Sequence, residues 1–182
     1  KARLNLLPTR MVRKRSGKAI VDTSCPRCHE EQETVAHVLN HCPPNVGLVR
    51  HRHNKILHRL ARAIPASKGI QLMEQSVPGD ERSLRPDLVI LNKEKAEAYV
   101  VDVTVPLEGE DSFQEARKAK EEKYAHIKQV LMSKGYRKVE VVRFVVGALG
   151  SWDPENESVL RKLSIGHNYA VLFRKLCCTE AI

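Results

Sequence analysis

Asp87 and Asp102 are the residues of this sequence with the most evident chemistry. Asp87 stands in Arg85-Pro86-Asp87-Leu88-Val89-Ile90-Leu91, and Asp102 interrupts Tyr99-Val100-Val101-Asp102-Val103-Thr104-Val105. A carboxylate inside an apolar, β-branched run is desolvated beside the core, which is costly unless a metal, a cation or hydrogen-bond donors compensate. Singly, each has a structural explanation: an Asp after a proline can close a turn on its own backbone, and Asp102 could be half of a buried ion pair. Together, joined by the charged turn Asn92-Lys93-Glu94-Lys95-Ala96-Glu97, the two runs predict antiparallel strands that bring both carboxylates to one region. That is the outline of a site for a hard divalent cation.

Downstream, Ser112-Phe113-Gln114-Glu115 has the form of a capping box opening a helix that runs to about Lys134. Its apolar stripe is Phe113, Ala116, Tyr124, Ile127 and Leu131, whose centre falls on Lys120, with Lys123 on its flank. A lysine alone on such a face can simply snorkel. Beside two inward carboxylates, Lys120 and Lys123 are expected to serve catalysis. Two carboxylates plus a lysine suit metal-dependent phosphodiester hydrolysis: the metal activates water and offsets growing charge on the phosphate, and the lysine orients that water or stabilises the transition state.

At these residues the chain resembles the restriction-endonuclease-like superfamily, whose pattern is Pro-Asp, a spacer, then Asp/Glu-x-Lys. Here the last element reads Asp102-Val103-Thr104, without the usual lysine, and the resemblance implies that Lys120 or Lys123 substitutes for it.

A second constellation lies upstream. Cys25-Pro26-Arg27-Cys28, His37 and Cys42 offer three thiolates and an imidazole, a donor set for tetrahedral structural zinc with no open position. His29 and His41 are alternative ligands, although each adjoins a cysteine already in the set. Cys177 and Cys178, in an apolar C-terminal segment, are expected to be buried thiols.

Charge is distributed unevenly. Residues 1–68 hold 14 Lys/Arg against 4 Asp/Glu, whereas residues 69–182 hold 17 against 18, so the +9 excess belongs to the N-terminal third. Such a bias beside a zinc motif points to nucleic acid, bound with an affinity that falls steeply with salt. Candidate contacts are Arg10, Arg13, Lys14 and Arg15 in one run, and Arg52 and His53 in the stretch Arg50 to Lys55.

Asn54 to Ile64 predicts a helix with Arg52-His53-Asn54 available to cap it, and Ala66 to Ser83 predicts a flexible loop. Val139 to Val146 predicts a strand, Gly147 to Asp153 a turn, and two helices follow, with Trp152 as a packing anchor. The expected fold is α/β: a restriction-endonuclease-like mixed sheet flanked by helices, preceded by a small zinc-knuckle module. The expected domains are 1–48, basic segment and knuckle; 49–82, basic helix and linker; and 83–182, the endonuclease domain. With 182 residues and 42% hydrophobic content the chain can hold one sizeable core and one metal-supported module. No apolar run approaches the roughly twenty residues that cross a bilayer, so no membrane partner is expected. Starting at Lys1 within a basic stretch, the chain is expected to be a fragment.

The order of motifs is narrower still. Leu7-Pro8-Thr9-Arg10, the Cys-Cys-His-Cys knuckle, Arg52-His53-Asn54, Arg85-Pro86-Asp87, Asp102-Val103-Thr104 and Lys120-x-x-Lys123-Tyr124 resemble the C-terminal part of the reverse transcriptase polyprotein of site-specific non-long-terminal-repeat retrotransposons, in particular those inserting into ribosomal RNA genes. The resemblance implies Mg²⁺ or Mn²⁺ at Asp87 and Asp102, zinc at Cys25, Cys28, His37 and Cys42, and a DNA-handling role for Arg52 and His53. It implies an endonuclease that nicks double-stranded target DNA in the nucleus, freeing a 3′-hydroxyl from which the rest of the polyprotein copies element RNA. The competing expectation is a zinc-dependent nucleic-acid-binding module on a non-catalytic nuclease-like scaffold, which the threonine at position 104 favours.

Overall fold

The structure is a computed structural model that describes residues 7–109 and 111–182; the side chains of residues 119–122 fall outside the described set. Helix α1 (Arg10–Arg15) is the first helix among the described residues and is capped by Thr9, whose hydroxyl accepts from the Val12 N–H. The cysteine loop follows, then a π-helical turn (His37–His41), a 3₁₀ turn (Pro43–Asn45) and helix α2 (Val46–Ala63). Strands β1 (Ile70–Met73), β2 (Leu88–Asn92), β3 (Glu97–Thr104) and β4 (Lys138–Val145) form one sheet in chain order, with helix α3 (Ser112–Ser133) between β3 and β4. Helices α4 (Asn156–Lys162) and α5 (His167–Glu180) end the fold.

Sheet alternation sorts the side chains. Leu88, Ile90, Tyr99, Val101, Val103 and Phe144 pack with Ile56, Leu57 and Leu60 of α2 and with α4 and α5. Val89, Ala98, Val100 and Val139 face Tyr124, Ile127 and Leu131 of α3. Because successive side chains point to opposite faces, Asp102 falls in line with Ala98 and Val100, on the α3 face. β2 and β3 are antiparallel across a four-residue turn, 93–96, closed by the Asn92 side chain accepting from the Lys95 N–H (3.0 Å). β3 and β4 are parallel, which requires a crossover, and α3 supplies it. The α/β fold with a mixed sheet flanked by helices is the one the sequence predicts.

Three local expectations are corrected. The segment expected as a flexible loop contains β1, which pairs antiparallel with β2. Ahead of it, Gly69 adopts φ +143°, and a Cβ there would lie 2.5 Å from the Leu91 carbonyl oxygen. Helix α2 begins at Val46 rather than Asn54, so Arg52, His53 and Asn54 lie within it and cannot cap it. Finally, Ser112 is the first residue of α3 rather than its cap; the cap position is Asp111, without a side-chain bond, and the Ser112 hydroxyl instead bonds Gly109 (3.0 Å from its N–H).

Candidate functional site

The four predicted zinc ligands converge. One ligand atom from each of Cys25, Cys28, His37 and Cys42 lies within 4.8 Å of all the others. Cys25 Sγ and Cys42 Sγ are 3.8 Å apart, and Cys28 Sγ is 3.3 Å from His37 Nε2. Tetrahedral zinc with bonds near ~2.3 Å sets sulfur–sulfur edges of about 3.8 Å, so the donor set could hold zinc as a closed, structural site. The loop favours the thiolate at two of the three cysteines. Backbone N–H groups of Glu31 and Glu30 lower the Cys28 pKa, and at Cys25 burial is outweighed by bonds from Cys28, Arg27 and Cys42, whereas burial together with Cys25 and Cys28 pushes Cys42 up to about 11. The His37 backbone N–H donates to Thr34 Oγ1 (3.0 Å), anchoring the turn that carries two ligands. His29 and His41 are exposed and stand outside the cluster.

The carboxylates meet at one end of the sheet. The β2–β3 ladder ends at the Leu88–Val101 pair, and Asp87 and Asp102 are the residues next beyond it on each side. Asp102 is 1% exposed. Its Oδ1 accepts from the Tyr124 hydroxyl (2.7 Å) and its Oδ2 from the Thr104 hydroxyl (3.0 Å). Burial, reinforced by the Asp102 charge, raises the Tyr124 pKa and keeps that hydroxyl a donor. Asp87 Oδ2 accepts from the Val103 N–H (2.7 Å) and lies 3.2 Å from His53 Nε2, which also lies 3.2 Å from the Val103 carbonyl. The bond to Asp87 pushes the His53 pKa up to about 9 against the opposing effect of burial.

Lys120 lies outside the described side chains. Lys123 is exposed, with its ammonium 4.9 Å from the centre of the Tyr124 ring. Arg143 is aligned with Asp102 in the parallel β3–β4 register and so shares its face. Tyr124, Thr104, His53 and Arg143 around the acids escaped the sequence reading as partners; the Lys-x-x-Lys-Tyr spacing, which puts Tyr124 on the stripe facing the sheet, was the available signal for Tyr124.

The predicted nucleic-acid contacts divide. Arg13, Lys14 and Arg15 are exposed at the end of α1. Arg10 reaches inward, bonding Asp22 (2.6 Å) and the Ser24 carbonyl (3.0 Å), which fastens α1 to the cysteine loop. Arg52 and His53 also point inward, His53 to Asp87 and Arg52 to Leu39 and Asn40.

No family model matches the chain. It is 30% identical, over 168 residues, to the retrovirus-related Pol polyprotein from the type-1 retrotransposable element R2 of Popillia japonica. That alignment takes in 88% of this chain but 33% of the relative, so the chain spans about a third of the polyprotein it matches. Its motif order, its mixed α/β fold and its Cys₃His cluster accord with this likeness: the chain is similar to part of an R2 retrotransposon Pol polyprotein.

Proposed function

We propose that this chain is a Mg²⁺- or Mn²⁺-dependent endonuclease that nicks one strand of double-stranded target DNA, freeing a 3′-hydroxyl for reverse transcription of element RNA by the rest of its polyprotein, in the nucleus. The observation that carries this reading is the buried carboxylate of Asp102 next to the Leu88–Val101 pair, with Asp87, the residue before Leu88, bonded to the Val103 N–H. Two hard oxygen donors side by side repel each other unless a cation sits with them, and the donor set fits a divalent ion. When bound, that ion would supply Lewis acidity at the scissile phosphate and a more acidic attacking water.

The protein's own part is positioning. Thr104 and Tyr124 fix both oxygens of Asp102, and the Val103 N–H and His53 fix Asp87 Oδ2. Arg143 and Lys123 provide positive charge on the Asp102 face for the transition state. The zinc loop is structural, and Arg13, Lys14 and Arg15 offer the phosphate backbone of DNA or RNA an exposed basic cluster.

The test is nicking of supercoiled plasmid at low salt with Mg²⁺ or Mn²⁺, with Asp87→Ala and Asp102→Ala in parallel. Nicking by the parent, and retained DNA binding without nicking by both variants, is expected. Binding without cutting by all three proteins would overturn the reading in favour of a non-catalytic nucleic-acid-binding module.

A further inference from the structure

Arg52 occupies an unusual position for a basic residue. The inward stripe of α2 runs through Ile56, Leu57 and Leu60, and three or four residues before Ile56 the same stripe falls on His53 and Arg52. Both side chains are therefore directed into the molecule, to different destinations. Arg52 Nη2 donates to the Leu39 carbonyl (3.2 Å) and to Asn40 Oδ1 (2.6 Å). These two residues lie between zinc ligands His37 and Cys42, in the π-helical turn. Asn40 in turn donates from Nδ2 to the carbonyl of Val105 (3.1 Å), immediately beyond the strand that carries Asp102. His53, the next residue, holds Asp87 and the Val103 carbonyl.

Arg52 Nε is buried with no hydrogen-bond partner, the one such side-chain atom among the described residues. Burial lowers the Arg52 pKa, with the Glu108 charge opposing. A guanidinium held this way is a strut whose desolvation is tolerated for the sake of its contacts, and it is poorly placed to grip phosphate.

We infer that Arg52 is a positioning residue through which the zinc loop sets the geometry of the acid pair: Leu39 and Asn40 hold Arg52, Arg52 fixes the rotation of α2, and that rotation presents His53 to Asp87. Asn40 makes the parallel connection to the end of β3. The inference rests on the endonuclease reading for its kinetic consequence, but the mechanical coupling exists without DNA.

Two measurements test it. In the first, hydrogen exchange is followed on the whole chain, free of DNA, before and after zinc is removed with a chelator. Exchange at the amides of Arg52, His53 and Val103 is expected to rise at least about tenfold, while Val139 and Val142 in β4 stay protected. In Arg52→Lys, which keeps the charge and loses the planar fork, and in Asn40→Ala, these amides are expected to exchange faster already and to respond little to zinc removal. Unchanged exchange at His53 and Val103 in the zinc-depleted parent would overturn the coupling. In the second, plasmid nicking by Arg52→Lys is expected to fall at least about tenfold in kcat, with KM and the salt dependence of DNA binding unchanged. A weaker affinity whose salt slope drops by about one, with kcat intact, would instead make Arg52 a phosphate contact. If Arg52→Lys fails to fold, Asn40→Ala carries both tests. A parent that does not nick would sink the endonuclease reading alone, because the exchange experiment still decides the coupling.

Discussion

Tyr124→Phe removes one oxygen atom from the fully buried face of α3 and leaves the ring packing intact. The lost bond is the 2.7 Å donation to Asp102 Oδ1, in a place where Asp102 is 1% and Tyr124 1% exposed, so water cannot readily replace the hydroxyl. Hydrogen bonds to ionised groups contribute roughly 1.5–3 kcal/mol, and both partners are buried, so a loss of about 2 kcal/mol is expected. In a domain of this size each kcal/mol shifts Tm by roughly 2–4 °C, giving a fall of about 4–8 °C by circular dichroism. Asp102→Asn provides the control. In that background the carboxylate charge is gone, and the same Tyr124→Phe change should remove only a neutral bond worth about 1 kcal/mol. A Tm within about 1 °C of the parent for Tyr124→Phe would refute the idea that the tyrosine hydroxyl clamps a charged Asp102. Equal costs in both backgrounds would refute the charge assistance.

Other perturbations probe the remaining parts. Cys28→Ser should lower bound zinc from about one ion per chain towards none, read by atomic absorption, with loss of order at residues 25–45; undiminished zinc would exclude Cys28 as a ligand. His53→Gln reports on the Asp87 pair in metal-free protein. The folded pKa of about 9 lies above the ordinary 6.5, so the pair's stabilisation is fully present below pH ~6.5 and disappears as pH rises through about 9. The stability gap between parent and His53→Gln in urea should therefore narrow from at most about 3 kcal/mol at pH 6 towards zero at pH 10; a gap that widens with pH would contradict it. Trp152→Ala removes a ring 5.5 Å from Phe144 and 6.4 Å from Phe173. Being partly exposed, it should cost about 2–3 kcal/mol in urea unfolding, below the usual range for core tryptophans. Gly69→Ala forces a Cβ against the Leu91 carbonyl and should cost more than about 1 kcal/mol, accompanied by faster amide exchange along β1.

The strands and helices that bury apolar residues at a regular period were legible in the sequence. β2, β3 and β4 present continuous or alternating apolar runs, and the C-terminal half of α3 shows its stripe through Tyr124, Ile127 and Leu131. β1 was not legible because it is four residues long, lies at the sheet edge and buries only part of its side chains, Ile70 being 63% exposed. The first half of α2 escaped for a different reason. Its inward positions hold Arg52 and His53 in place of apolar groups, while Val46 and Leu48 are exposed, so the hydrophobic period breaks where the polar contacts begin. The same substitution of polar for apolar explains what was missed at the candidate site. The two aspartates advertise themselves where Asp102 interrupts an apolar run and Asp87 opens one, and the Cys₃His cluster by its spacing. The partners of the acids come from elements distant in sequence, and only the assembled sheet puts them together.

The order of the strands has a kinetic consequence. Asp102 lies in, and Asp87 immediately precedes, a hairpin whose turn is four residues long, a closure that belongs among the fastest steps of chain assembly. β4, by contrast, must return across the whole of α3 before it can pair with β3, a contact of high sequence separation that the chain reaches later. The two negative charges are thus expected to be neighbours first in a hydrated hairpin, where solvent weakens their repulsion, and to feel it fully only when α3 docks and expels water. That docking step should be the part of folding most sensitive to divalent cations, visible as a folding rate that rises with Mg²⁺ while the rate of hairpin formation does not.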